Sequence, residues 1–475
     1  MKKILNKRIK IWKLLLIIWL LVIMIILYGA LLRNFYLGDN KNFLFLKKIG
    51  VFVAEIPHNL KPERLKKNII SAFYPSNDLA INEIITIDKN LDFNKLKSSY
   101  EFKNSYKKKG FKIYQNNKVK KDFGLLVLSR YDPDKKKSVV EIIDLQNLKK
   151  HFTYDFDIQK YNSLYSEDKK FKNMTNERFR IIHPFIKDDG SIVFQDTSPL
   201  FNLGKCGELI WINKEYHFHH SLNNYDKDHM IGIAKFIPYS DFVKKKYLDN
   251  NFNDDGYLII RKKDGQIIQK ESIVEILYNN GLVGDNFFSS HDPIHLNDVE
   301  IAKKDTKFWK KGDLFFSGKF LSAIVHYRPS TKKVINFIKG PFSGQHDINF
   351  YDNSKLIFFN NNNYGGDTKN SQILIYDFDN KKFTDLLKAG KSDLKDLKSI
   401  NQGLLEINKA NNNYLIEEQN FGRLIYLDAN NKIIWEYINK STDKKIYFLN
   451  WSRLITDTKT VNNLKKIFKN SQCKK

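Results

Sequence analysis

LSAIVHYRPSTKKVINFI, residues 321–338, decides the fold: two runs of β-branched and aromatic residues flank a turn of Arg, Pro, Ser, Thr and Lys. This is the pattern of an antiparallel hairpin, because branched and aromatic side chains fit a pleated surface and Pro and Ser fit a turn. The unit returns as LLVLSRYDPDKKKSVVEIIDL (125–145), LIIRKKDGQIIQKESI (258–273), ILIYDFDNKKFTDLL (373–387) and RLIYLDANNKIIWEYI (423–438). The separations between turns scatter around the roughly 40–50 residues of a propeller blade, and GELIWINKEYHF (207–218) reads as part of a further blade. A β-sandwich with several hairpins is the competing reading, but about 350 residues of strand with no long helical pattern is too much for one sandwich. The expected fold is therefore all-β, a β-propeller with six blades favoured, spanning residues 116–465.

Upstream, the text changes character. Lys2, Lys3, Lys7, Arg8, Lys10 and Lys13 precede an uncharged apolar run of 19 residues from Leu14 to Leu32. As a helix that run rises about 28 Å, close to the hydrocarbon thickness of roughly 30 Å. The run is longer than a signal-peptide core and lacks a convincing cleavage site, so an uncleaved signal anchor is expected. The positive-inside bias then places residues 1–13 in the cytoplasm and the propeller on the periplasmic or extracytoplasmic side of the inner membrane. Residues 33–115 read as a Lys-rich membrane-proximal segment with a short helix near Pro62–Phe73, and residues 466–475 as a basic tail.

The chain carries 80 Lys and Arg against 53 Asp and Glu, a net charge of +27. Setting aside the first 33 residues removes seven cations and leaves 73 against 53, or +20. Lysines scattered between apolar strands read as a solvated surface rather than a polyanion footprint, so no nucleic-acid partner is expected. Cys206 and Cys473 are the only cysteines, which excludes cysteine metal clusters; whether they pair is open at this stage, as is homo-oligomerisation. No phosphate-binding glycine loop, dinucleotide fingerprint, zincin helix or nucleophile-elbow serine occurs, and no cofactor is expected.

Histidine is what stands out. Seven of eleven gather in WINKEYHFHHSLNNYDKDHM (211–230: His217, His219, His220, His229), in SSHDPIHLNDVE (289–300: His291, His295) and in GPFSGQHDINF (340–350: His346). In an extended strand side chains alternate, so His217 and His219 share one face and His220 takes the other. HLNDVE and QHDINF repeat a polar-then-apolar rhythm in neighbouring blades, which would bring their histidines to the channel mouth. A neutral imidazole there is a competent nucleophile toward electrophilic sulfur or phosphorus. Satisfied core or surface histidines, and a metal held by His217, His219 and a third ligand, are the other readings.

GELIWINKEYHFHHSLN (207–223), DPIHLNDVE (292–300), the run from Phe315 to Phe350, the asparagines Asn360–Asn363 and EEQNFGRLIYLDANNKIIWEYIN (417–439) together resemble the bacterial arylsulfotransferase family. The resemblance implies a six-bladed propeller that moves a sulfuryl group from an aryl sulfate to a phenolic acceptor without a nucleotide donor. By motif position it assigns the transient sulfohistidine to His346, and second and third channel histidines to His220 and His295. Asp347 would orient the His346 ring or cap a turn. The family's usual arginine, often followed by histidine, is replaced by Lys319 and Phe320; lysine keeps the charge but loses the planar fork. Lys319 is the expected sulfate-binding cation, with Arg328 of the YRPS turn expected in solvent. A non-catalytic propeller that binds an anionic ligand or a partner protein at the membrane surface is the alternative, and a metal-dependent lyase or hydrolase a third.

Overall fold

The computed structural model describes residues 13, 15–24, 83–85, 109–197, 199–246, 252–284, 287–288, 291–362, 370–389, 392–394, 397–399, 402–440, 446–469 and 473. The chain divides into two units, residues 1–79 with 285–290, and residues 80–284 with 291–475. In the first unit residues 15–24 are helical and mostly exposed. No helix among the described residues is long and apolar enough to cross a membrane. The remainder of the Leu14–Leu32 run, and the helix expected near Pro62–Phe73, lie outside the described residues.

The second unit is a six-bladed propeller. Blade I pairs Arg453–Ile455, Leu125–Asp132, Lys137–Asp144 and Lys150–Tyr154 in that spatial order. Blade II runs Ile182–Ile186, Ile192–Gln195, Leu200–Leu203 and Leu209–Asn213. Blade III is His217–Asn224, His229–Lys235, Asp255–Arg261 and Ile267–Ser272. Blade IV is Leu296–Ile301, Leu314–Gly318, Ala323–Arg328 and Lys333–Ile338. Blade V is His346–Phe350, Lys355–Asn360, Gln372–Asp377 and Lys382–Asp385. Blade VI is Leu404–Asn408, Asn413–Glu418, Arg423–Leu427 and Ile433–Ile438, with Gly110–Ile113 added as a fifth strand. From blade II round to blade I the first strands of successive blades contact one another, and the first strand of blade II meets Leu125–Asp132 of blade I.

The turns form where the sequence predicts them, for a local reason. Lys136, Gly265, Lys332, Lys381 and Asn431 each hold a left-handed backbone in one of the five quoted hairpins. A short side chain supports several of them: Asp132 Oδ1 accepts from the amide of Asp134 at 3.1 Å, Asp377 Oδ1 from that of Asp379 at 2.9 Å, and Asp428 Oδ1 from that of Asn430 at 2.8 Å. GELIWINKEYHF is not a hairpin; it carries the last strand of blade II and enters the first of blade III.

Between blades, facing sheets bury apolar side chains. Leu125 and Val127 meet Phe194 and Phe201 between blades I and II, and Ile357 and Phe359 meet Leu405 and Ile416 between V and VI. Full burial of one such side chain contributes roughly 1.5–3 kcal/mol. Carboxylates add latches near the axis: Asp255 Oδ2 accepts from the Leu296 amide at 2.9 Å, and Asp298 Oδ2 from the Ile348 amide at 2.7 Å. The ring closes where Arg453–Ile455 pairs with Leu125–Val127. Glu417 accepts from the amides of Trp451 and Ser452, both at 2.8 Å, and so fixes the entry to that strand. After it, the helix Thr458–Lys469 packs Val461, Leu464 and Phe468 into the blade I–II core, and Cys473 beyond forms a disulfide with Cys206 of the blade II turn.

Candidate functional site

Five described residues in or just before axial strands share a left-handed backbone: His183 (φ 45°), His220 (51°), His295 (47°), Asp347 (53°) and Trp451 (62°). For non-glycine residues this conformation is uncommon, and it breaks the alternation of side chains along the strand. Register shifts accompany it, as between His219 and Leu222 and between Ile182 and Phe185. The ladder is regular from His217 to His219 and is interrupted between His219 and Leu222. The bend turns His220 toward the neighbouring histidines, while His219 Nε2 bonds Asp255 Oδ1 at 3.2 Å and His217 packs on Phe171.

The structure gathers the three expected histidines at one mouth. The ring centroid of His220 is 6.1 Å from that of His346 and 5.4 Å from that of His295. His346 is 1% exposed and opens the first strand of blade V. Its Nδ1 lies 2.8 Å from both the Gly344 carbonyl and Asn361 Oδ1. The amide of Asn361 faces that way because its Nδ2 donates to the carbonyls of Ser399 and Gln402, at 3.0 and 2.9 Å. With two acceptors on Nδ1, that nitrogen carries the proton, so the lone pair resides on Nε2, which has no hydrogen-bond partner among the described residues. Burial, reinforced by the charge of Lys319, lowers the His346 imidazole to about 3, so the ring is neutral at ordinary pH.

His295 is held differently. Its Nδ1 is 2.7 Å from Asp292 Oδ2, a position from which that nitrogen donates to the carboxylate, and its amide donates to Asp292 Oδ1 at 3.2 Å. His220 is driven well below the ordinary histidine value by burial and by the surrounding imidazoles, and its buried Nδ1 has no hydrogen-bond partner among the described residues. Lys319 follows the second strand of blade IV, where its amide donates to the His295 carbonyl at 3.0 Å. Burial lowers its ammonium, and among the described residues it makes no ion pair.

Three residues join the mouth that the histidine-rich motifs do not single out. His183 is 2% exposed, both of its ring nitrogens lack hydrogen-bond partners among the described residues, and it stacks on Trp451 at 5.0 Å. Trp451 in turn meets His220 edge-on at 5.7 Å. Asn361, third, fixes the tautomer, a role the sequence reading offered to Asp347. The Asp347 carboxylate instead accepts from the Leu405 amide and latches blade V to blade VI.

The other candidates stand apart. Arg328 is not free in solvent: Nε and Nη2 each reach Asp313 at 2.7 Å, where His326 Nε2 also bonds at 2.8 Å. His229 pairs with Asp226 at 2.9 Å, and His291 is exposed. Among the described residues no group of three or more His, Cys, Asp or Glu is placed to hold a metal ion. Beneath the histidines, Arg453 reaches Glu406 Oε1 at 3.1 Å and also contacts the Leu222 carbonyl and Asn223 Oδ1, tying blade I to blades VI and III.

Chemically, the mouth offers an oriented, neutral nitrogen lone pair, an unpaired cation and a His–Asp pair able to exchange a proton. The family model described as Arylsulfotransferase (ASST) matches residues 184–440, more than half of the chain. No curated protein matches. Among solved structures, a protein of unknown function from Bacteroides caccae is similar at 10% identity with a TM-score of 0.44, over 70% of this chain and 98% of its own. The WD40 domain of Pan2 from Neurospora crassa is 8% identical with a TM-score of 0.36, over 72% and 93% of the two chains. A catalytically inactive virginiamycin B lyase from Staphylococcus aureus, with quinupristin, is 13% identical with a TM-score of 0.36, over 69% and 87%. At these levels the structural likenesses say nothing about chemistry.

Proposed function

Because this chain belongs to the arylsulfotransferase family, and the match runs through the blades that carry His220, His295, Lys319 and His346, we propose that it transfers a sulfuryl group from an aryl sulfate to a phenolic acceptor through a sulfohistidine at His346. The observation that carries the reading is the fixed tautomer of His346, which leaves Nε2 as a neutral nucleophile without a partner. Nε2 attacks the ester sulfur; the N–S bond forms as the S–O bond breaks, and its electron pair leaves with the phenolate. Lys319 offsets the charge on the three sulfuryl oxygens during transfer, and neutral His220 can donate one hydrogen bond to them. His295, oriented by Asp292, gives a proton to the leaving phenolate. In the second half the acceptor oxygen attacks sulfur, the N–S pair returns to Nε2, and the acceptor's proton restores His295. No metal or cofactor is needed in this scheme.

The test is nitrophenol release from 4-nitrophenyl sulfate with phenol as acceptor. We expect release by the protein and loss of at least about a hundredfold in His346→Ala. Release that is unchanged in the variant would sink the proposal.

A second reading, an anion-binding propeller without turnover, follows if Lys319 stands where the family carries an arginine fork, as the sequence resemblance implies. It predicts sulfate-ester binding with no nitrophenol release.

The proposal extends to location. An uncleaved anchor at Leu14–Leu32, preceded by six cations, would hold the propeller outside the cytoplasm. The Cys206–Cys473 disulfide supports an oxidising compartment.

A further inference from the structure

Phe320 follows Lys319 in the turn that joins Leu314–Gly318 to Ala323–Arg328. The turn is tethered to the start of the axial strand of blade IV: the amide of Lys319 donates to the His295 carbonyl and that of Phe320 to the Ile294 carbonyl, both at 3.0 Å. Ser322 completes it with a left-handed backbone (φ 46°). A ring on so constrained a turn has little freedom to fold back into the core. It is 53% exposed, the one phenylalanine among the exposed large apolar side chains of the described residues.

A single exposed apolar residue on a convex surface calls for no explanation. This one lies at the rim of the histidine mouth, its centroid 4.7 Å from the His295 ring at 51° and 5.2 Å from Lys319 Nζ. A half-exposed aromatic ring, a half-buried ammonium and the more deeply buried Nδ1 of His220 and Nε2 of His346, both without hydrogen-bond partners among the described residues, thus lie side by side. A ligand that satisfies all three carries an anionic head and a flat apolar body. An aromatic ring gains from stacking beyond its buried area, which an alkyl chain does not.

We propose that Phe320 is a specificity-determining residue, the face against which the aryl ring of the sulfate ester lies, so that planar aromatic esters are preferred over alkyl ones. This deepens the sulfuryl-transfer reading of the same mouth and rests on it for the identity of the head group. Lys319 engages the sulfur-bound oxygens while Phe320 covers the ring, and the ester sulfur is delivered toward His346.

The experiment measures calorimetric binding of two unreactive probes, naphthalene-1-sulfonate and methanesulfonate, to the full chain and to Phe320→Ala and Phe320→Trp. Neither probe has an ester bond to break, so the outcome does not depend on turnover, which nitrophenol release judges separately. We expect the unchanged protein to prefer the naphthalene probe, Phe320→Ala to bind it about tenfold more weakly, and Phe320→Trp to keep the preference. Methanesulfonate binding stays the same in all three. Because the side chain is exposed, melting temperatures should coincide, which separates loss of the face from loss of fold. Equal affinity for the naphthalene probe in Phe320→Ala, or no aromatic preference in the unchanged protein, overturns the assignment.

Discussion

At the scale of single residues, the mouth is organised by which ring nitrogen holds a proton. Two oxygens facing Nδ1 of His346 leave one tautomer, and burial keeps it neutral down to about pH 3. The proposed nucleophile therefore contributes no acid limb between about pH 5 and 8. Lys319 behaves oppositely. Burial lowers its ammonium, so the cation is present at low pH and is lost as pH rises through a value below the usual lysine range. Donor binding should weaken along that alkaline limb, read as a rise in KM for 4-nitrophenyl sulfate. Lys319→Arg should move the limb upward, because a guanidinium stays charged; an unmoved limb would assign it to another group. The nucleophile candidate could be found from QHD in the sequence, and His220 and His295 from their clusters. His183 could not: it stands alone in IIHPFI, and only the spatial equivalence of the blades sets it beside His220.

At the scale of elements, the starts of the axial strands carry the design. Left-handed residues there bend the strands and aim side chains that strict alternation would send elsewhere, at a cost of order 1–3 kcal/mol each. The two-residue period located the strands, and the register shift after His219 is what it could not anticipate. Hairpin turns were legible because Asp and Gly act on their own backbone; bends imposed by packing leave no such local mark. The strand Lys355–Asn360 delivers Asn361 to His346, and Asn361→Ala removes one of the two acceptors on Nδ1. We expect kcat to fall about 10–100-fold with KM for the donor little changed, by analogy with the loss of outer-shell partners. A fall in melting temperature with unchanged kcat would show that the residue serves packing alone.

At the scale of the whole molecule, the ring is closed by the three residues Arg453–Ile455, which pair with Leu125–Val127 from the far end of the propeller sequence. No periodicity marks so short a strand, so the closure was not legible, whereas the repeated hairpins that build four of the outer blade pairs were. The disulfide spans a sequence separation of 267 residues, another long-range tie that spacing could not assign. The charge of +27 divides between cations flanking the apolar run and a propeller surface with many Lys–Asp pairs. If the run is an anchor, the full chain should stay with carbonate-washed membranes while a chain beginning at residue 34 is released. Release of both would remove the anchor from the account.

The central claim is that sulfur rests on His346. Incubation with 4-nitrophenyl sulfate alone, without acceptor, followed by rapid intact-mass measurement should show one SO₃ added to the protein. The adduct should disappear on adding phenol and be absent from His346→Ala. Nitrophenol release at full rate with no adduct, or an adduct that persists in His346→Ala, would contradict it.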